Sequence, residues 1–151
     1  MGQRKELLAA LAGAVLLTIG SPAEAADAED CLARAVYFEA RDDGTEGMAA
    51  VAAVVMNRVR HPEFPDDVCA VVKEGGETPP CQFSWWCDGK SDQPEDAELW
   101  ALAREVAAET LDGETSDPVA DALFFHSEKV DPPYHETREL VATVGSHLFY
   151  R

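Results

Sequence analysis

A carboxylate stands in the apolar stripe of the first helix that the residue spacing predicts, and few arrangements can hold one there. Between Cys31 and Ala40, the residues Leu32, Ala35, Val36 and Glu39 follow the i, i+3, i+4, i+7 pattern of a core-facing surface. An ionised carboxylate loses hydration in apolar surroundings, so its pKa is expected to rise until the group keeps its proton near neutrality. A general acid needs that property. Two readings follow: Glu39 lies at a helix end facing a cleft, or it is buried and paired with Arg34 or Arg41.

The first 25 residues read as an export signal. Arg4 and Lys5 form a basic start, Leu7 to Ile19 is an almost unbroken apolar run, and Ala23-Glu24-Ala25 is a small-x-small cleavage site. The run falls short of the roughly 20 residues that a membrane span needs. The expected mature chain is therefore residues 26–151, exported to the periplasm, cell envelope or medium, with an uncleaved signal anchor as the alternative. It has the size of one domain with a real core, and is expected to act as a monomer. Cys31, Cys69, Cys81 and Cys87 all lie beyond the signal, so an oxidising compartment implies two disulfides, with three pairings open. The formal net charge of −17 argues against nucleic acid and anionic membrane surfaces as partners, because phosphates require Lys and Arg.

Helices are predicted over about Asp30 to Ala40, Glu46 to Arg60 with Thr45 as N-cap, Asp66 to Lys73, and from near Pro94 to a stop at Gly113. In the second of these, Met48, Val51, Ala52, Val55 and Val59 form one apolar stripe. Asp42-Asp43-Gly44 and the stretch Glu74 to Pro80 break the pattern as turn and loop. Gln82 to Trp86 reads as a short strand. Ala122 to His126 and Val141 to Tyr150 read as extended, with a short helix over Leu140 to Val144 as an alternative. Helices followed by a few short strands give an α+β domain, mainly helical, with a small antiparallel sheet and disulfide bracing.

Around Glu39, Tyr37 is a ligand-binding or packing residue, and Arg41 is a partner for an acid or a substrate clamp. Gln82-Phe83-Ser84-Trp85-Trp86, flanked by cysteines, reads as an aromatic edge on which sugar rings stack while Gln82 and Ser84 bind polar groups; Phe83 by itself reads as core. His126, His135 and His147 are spaced too widely for a compact metal motif, so neither metal nor other cofactor is expected. Ser127 beside His126 lacks the elbow and third group of a nucleophile triad. Glu46, Asp88 and Asp117 are weak nominees for a second catalytic carboxylate.

Several ordered motifs across nearly the whole mature chain resemble the SleB-type cell-wall hydrolases, which include the spore-cortex-lytic enzymes. They are Tyr37-Phe38-Glu39-Ala40-Arg41, then Glu46-Gly47 with Ala50 to Val59, Phe64-Pro65 with Val68 to Val72, Cys81 to Gly89, His126, and Gly145-Ser146-His147-Leu148-Phe149-Tyr150. The resemblance implies a lysozyme-like fold that cuts peptidoglycan glycan strands between N-acetylmuramic acid and N-acetylglucosamine, with Glu39 as catalytic acid. It also implies lytic transglycosylation, in which one carboxyl group suffices, and substrate contacts from Tyr37, Arg41, Gln82, Phe83, Ser84, Trp85 and His126. The chain departs from the family pattern at Asp42-Asp43-Gly44, at Met48, and at Ala120 to His126.

Overall fold

The computed structural model describes residues 21–151. The expected export signal lies outside them apart from residues 21–25. Helix α1 spans Pro22–Ala40 and is followed by a 3-10 turn over Arg41–Asp43 and by α2, Gly44–Arg60. Helix α1 starts well before the predicted Asp30 because a capping box precedes it. The Ser21 backbone N–H donates to Glu24 Oε2 at 2.6 Å, the Glu24 N–H donates to Ser21 Oγ at 3.3 Å, and Pro22 opens the first turn. The expected cleavage after Ala25 therefore falls inside this helix. Thr45 is not the cap of α2; Asp43 occupies that position, and its carboxylate is used elsewhere.

The second half of α1 is buried around most of its circumference, from Cys31 through Ala40, with Arg34, Phe38 and Glu39 the partly exposed exceptions. A helix apolar nearly all round belongs in the middle of a domain, and α1 packs against α2, α3 (Val68–Val72) and α5 (Ala97–Leu111). The predicted stripe of α2 faces this helical core through Met48, Val51, Ala52 and Val55. Its other side, Ala50, Ala53 and Val54, meets a second core with Val119, Ala122, Val144 and Phe149. Helix α2 is thus the wall between the helices and the sheet.

That sheet consists of β1 (Phe124–Ser127), β2 (Leu140–Val144) and β3 (His147–Tyr150), antiparallel in the order β1-β3-β2. The extended reading of Leu140–Val144 holds. The strand expected at Gln82 to Trp86 does not form; Ser84–Cys87 is a single helical turn, α4. The reason is covalent. Cys81 pairs with Cys87, whose Cα atoms are 6.2 Å apart, whereas six extended residues would reach about 20 Å.

The second bridge, Cys31–Cys69, ties α1 to α3 across 38 residues of chain. Closing the longer loop constrains the unfolded chain more. Replacing both Cys31 and Cys69 by Ser is expected to cost about 2–4 kcal/mol, and replacing the Cys81–Cys87 pair less. Thermal unfolding followed by circular dichroism checks the order, and equal losses would contradict it.

Candidate active site

Glu39 lies in the last turn of α1, where Ala35 and Val36 beneath it are fully buried. Its side chain is partly exposed, yet protein encloses most of it, and this desolvation raises its pKa to about 7. The positive charge of Arg58 opposes the rise without cancelling it. The alternative of a paired, structural Glu39 is not realised. Arg34 donates instead to Asp30 Oδ2 at 2.8 Å and to the Asp92 carbonyl, and the Arg41 guanidinium lies over the Tyr37 ring at 5.2 Å.

Arg58, on α2, is only 3% exposed. Its Nε donates to the Leu123 carbonyl at 2.8 Å, and its guanidinium lies between the rings of Phe64 (5.3 Å) and Phe83 (5.6 Å). Burial lowers its pKa to about 10, so it stays charged at neutral pH. With the amide oxygen of Gln82 turned towards it, Nη1 and Nη2 each donate at 2.9 Å. Sequence reading placed Gln82 near the site but passed over Arg58. A signal existed: Arg58 follows Val51 and Val55 by seven and three residues, which puts a charge in the apolar stripe of α2, just as Glu39 does in α1.

The turn after Glu39 is anchored by Asp43. Its carboxylate accepts from the Ser146 N–H at 3.0 Å, the Ser146 hydroxyl at 3.1 Å and His147 Nδ1 at 2.7 Å, joining the α1–α2 turn to the β2–β3 hairpin. Burial works to raise the Asp43 pKa, but these hydrogen bonds outweigh it and hold the carboxyl below its ordinary range. Two glycines make the space. A Cβ on Gly145 would fall 2.4 Å from Asp43 Cγ, and one on Gly47 would fall 2.3 Å from Asp43 Cβ.

The remaining candidates separate into two groups. A cavity of about 380 Å³ on the Arg41 flank is lined by Tyr37, Phe38, Arg41 and Trp85 but not by Glu39. Tyr37 is fully buried and its hydroxyl oxygen accepts from the N–H groups of Glu95 and Asp96, so it anchors the start of α5 and offers little to a ligand. Trp85 corrects the expected exposed platform: it is 8% exposed and stacks on Phe38 at 5.0 Å. Phe83 is likewise in the core, while Gln82, Ser84 and Arg41 reach the surface. His126 stacks on Tyr150, and its Nε2 lies 3.1 Å from the Tyr150 hydroxyl. Gln82 and Phe83 gather around Arg58, whose charge acts on Glu39. A cavity of about 430 Å³ lies along the N-terminal half of α1 at Glu29, Asp30 and Arg34 and is not lined by Glu39.

The chain is thus a mainly helical domain with a small antiparallel sheet and a desolvated carboxyl group, Glu39, at a helix end. Residues 42–150 match the family model described as Cell Wall Hydrolase, and the chain belongs to that family. It is 35% identical over 120 residues to the spore cortex-lytic enzyme of Bacillus subtilis, covering 78% of this chain and 35% of the relative. The spore cortex-lytic enzyme of Oceanobacillus iheyensis is 35% identical over 123 residues, covering 78% and 39%. The chain thus spans little more than a third of the length of these relatives. Among solved structures, the catalytic domain of the germination-specific lytic transglycosylase SleB from Bacillus anthracis superposes with a TM-score of 0.68 at 27% identity, covering 90% of this chain and all of that one. The Bacillus cereus SleB catalytic domain gives 0.69 at 26% identity, covering 93% and 99%.

Proposed function

We propose that this protein is an exported, monomeric lytic transglycosylase that cuts peptidoglycan between N-acetylmuramic acid and N-acetylglucosamine, with Glu39 as its acid and then its base. The observation that carries this reading is a largely enclosed carboxyl group at a helix end, its pKa raised to about 7, while Asp117 is held by three hydrogen bonds. Protonated Glu39 gives its hydrogen to the glycosidic oxygen, and the bond from that oxygen to the muramyl anomeric carbon breaks. The resulting carboxylate takes the proton of the muramyl 6-hydroxyl while that oxygen bonds to the anomeric carbon. The products are a free 4-hydroxyl on one side and a 1,6-anhydro end on the other, with no water consumed.

Hydrolysis would require a second carboxylate to activate water or to attack the sugar. The nominees are poorly suited. Asp117 accepts from Asn57 Nδ2 at 3.1 Å and from the N–H groups of Val119 and Asp121 at 2.9 Å each, which together hold its pKa low against the effect of burial. Asp88 is engaged by the Lys90 N–H at 2.8 Å, and Glu46 is exposed at the start of α2. Mass spectrometry of the fragments released from purified sacculi tests the proposal. Anhydro ends are expected; reducing ends, one water heavier, would mean hydrolysis, and binding without release would leave only a glycan-binding module. Gln82, Ser84, Arg41 and His126 are the exposed or half-exposed polar groups available to the strand; among the described residues no helix is long and apolar enough to cross a membrane.

A further inference from the structure

The cavity of about 380 Å³ beside Arg41 joins unanswered charge to an aromatic wall. The chain carries 29 Asp and Glu against 12 Lys and Arg, so a cation has acids to choose from, and Arg34, Arg104 and Arg151 each hold one. Arg41 holds none among the described residues. Its exposed guanidinium lies over the Tyr37 ring at 5.2 Å instead, and that ring is fixed because its hydroxyl accepts from the Glu95 and Asp96 N–H groups at 3.2 and 3.1 Å. Arg41 and Glu95 thus meet the same tyrosine, one at its face and the other at its hydroxyl. The Glu95 carboxylate also lines the cavity, is exposed, and has no cation partner among the described residues. Asp88, the other acid of the lining, is engaged by the Lys90 N–H at 2.8 Å and by its ammonium at 3.6 Å. Phe38, stacked on Trp85 at 5.0 Å, supplies the apolar wall.

We infer that this cavity takes the peptide stem of the glycan, with Arg41 on a stem carboxylate and Glu95 on the side-chain amine of a diamino acid within the stem. The inference rests on the glycan-cleaving reading above. A neutral sugar would leave both charges unanswered, and a polyanion would meet the carboxylates of Asp88 and Glu95. A peptide that bears an acid and an amine answers both. The guanidinium fork matches a carboxylate with two parallel N–H bonds, and the Phe38 wall suits the methyl and methylene groups of such a peptide. The position agrees with the chemistry. Phe38 immediately precedes Glu39, with Cα atoms about 3.8 Å apart, and Arg41 follows two residues later, yet Glu39 does not line the cavity. The cavity therefore adjoins the acid without being the place where the bond breaks. A stem branches from the muramyl ring whose anomeric bond is cut, so it leaves the acid within the breadth of one sugar.

The test compares kcat/KM on glycan that carries its stems with kcat/KM on glycan stripped of them by an amidase. Wild-type protein is expected to favour the stem-bearing glycan about 10–100-fold, the effect of one charged, hydrogen-bonded pair. Arg41→Met keeps the length of the side chain without its charge and should bring that ratio close to one. Arg41→Lys, which keeps the charge without the fork, should retain part of it. Acetylating the stem amines should lower the wild-type ratio severalfold and leave that of Glu95→Gln unchanged. A ratio cancels any general loss of rate. Equal cutting of both glycans by wild-type protein overturns the inference while glycan cleavage stands, as does an Arg41→Met ratio equal to wild type, and a wild-type ratio indifferent to acetylation overturns the part given to Glu95. Release from neither glycan overturns the glycan-cleaving reading and this inference with it.

Discussion

Sacculi treated with the Glu39→Gln protein are expected to stay intact, with the rate of fragment release reduced by about 10²–10⁴-fold or more, the range that a positioned general acid contributes. The same variant is expected to be more stable than wild type at alkaline pH. The folded pKa of about 7 lies above the ordinary 4.5, so the folded state holds a proton that the unfolded state has released between those values. Stability therefore falls as pH rises from about 4.5 through 7, by roughly 3 kcal/mol in all. Glutamine carries no such penalty. Its advantage should be full above pH 7 and absent below about 4, as read from denaturant midpoints at both ends of the range. Activity should decline through the same window near pH 7, because the donor form disappears there. Wild-type release by Glu39→Gln would sink the mechanism.

Asp43→Ala is expected to cost about 1–3 kcal/mol for each buried donor it leaves without an acceptor. The Ser146 N–H and His147 Nδ1 would lose their acceptor, and the β2–β3 hairpin its hydrogen-bonded link to the turn after α1. The linkage here has the opposite sign from that of Glu39. Asp43 has a lowered folded pKa, so its contribution is complete above the unfolded value of about 3.9 and is lost as pH falls through the folded value. The cost of the substitution should accordingly be full at neutrality and shrink in strong acid. Gly145→Ala acts on the same contact from the other side, since its Cβ would collide with the carboxyl group and its φ of 55° disfavours a side chain. Thermal unfolding at pH 7 and pH 3 checks both variants; a change of less than about 0.5 kcal/mol for Asp43→Ala would show that the contact contributes nothing beyond an ordinary surface substitution.

Two carboxyl groups four residues apart are thus pushed in opposite directions by their surroundings. Glu39 is desolvated with only the charge of Arg58 opposing the shift, whereas Asp43 is desolvated but receives three hydrogen bonds. The departure of Asp42-Asp43-Gly44 from the family pattern therefore leaves a carboxylate in working contact with the hairpin turn.

The stripe Leu32, Ala35, Val36, Glu39 located both the central helix and the candidate acid, because helical periodicity and the cost of burying charge act locally. The same logic applied to Val51, Val55 and Arg58 would have found the second charge. Neither the pairing of the four cysteines nor the turn at Ser84–Cys87 followed from periodicity, since a covalent link between Cys81 and Cys87 overrode the local preference of an aromatic segment for strand. The burial of Tyr37 and Trp85 was not legible for a related reason. An aromatic residue looks the same in a core and on a sugar-binding edge, and only its neighbours tell them apart.

What the chain's order of residues determined was everything that depends on near neighbours: the helices, the extended tail, and an acid placed where water is scarce. What only the tertiary structure decided was which distant groups meet. Arg58 and Gln82 lie 24 positions apart, and Asp43 and His147 are 104 apart. Hydrogen bonds and desolvation act over a few ångströms, so the direction of a pKa shift and the outward end of an amide exist only once the fold has brought those partners together.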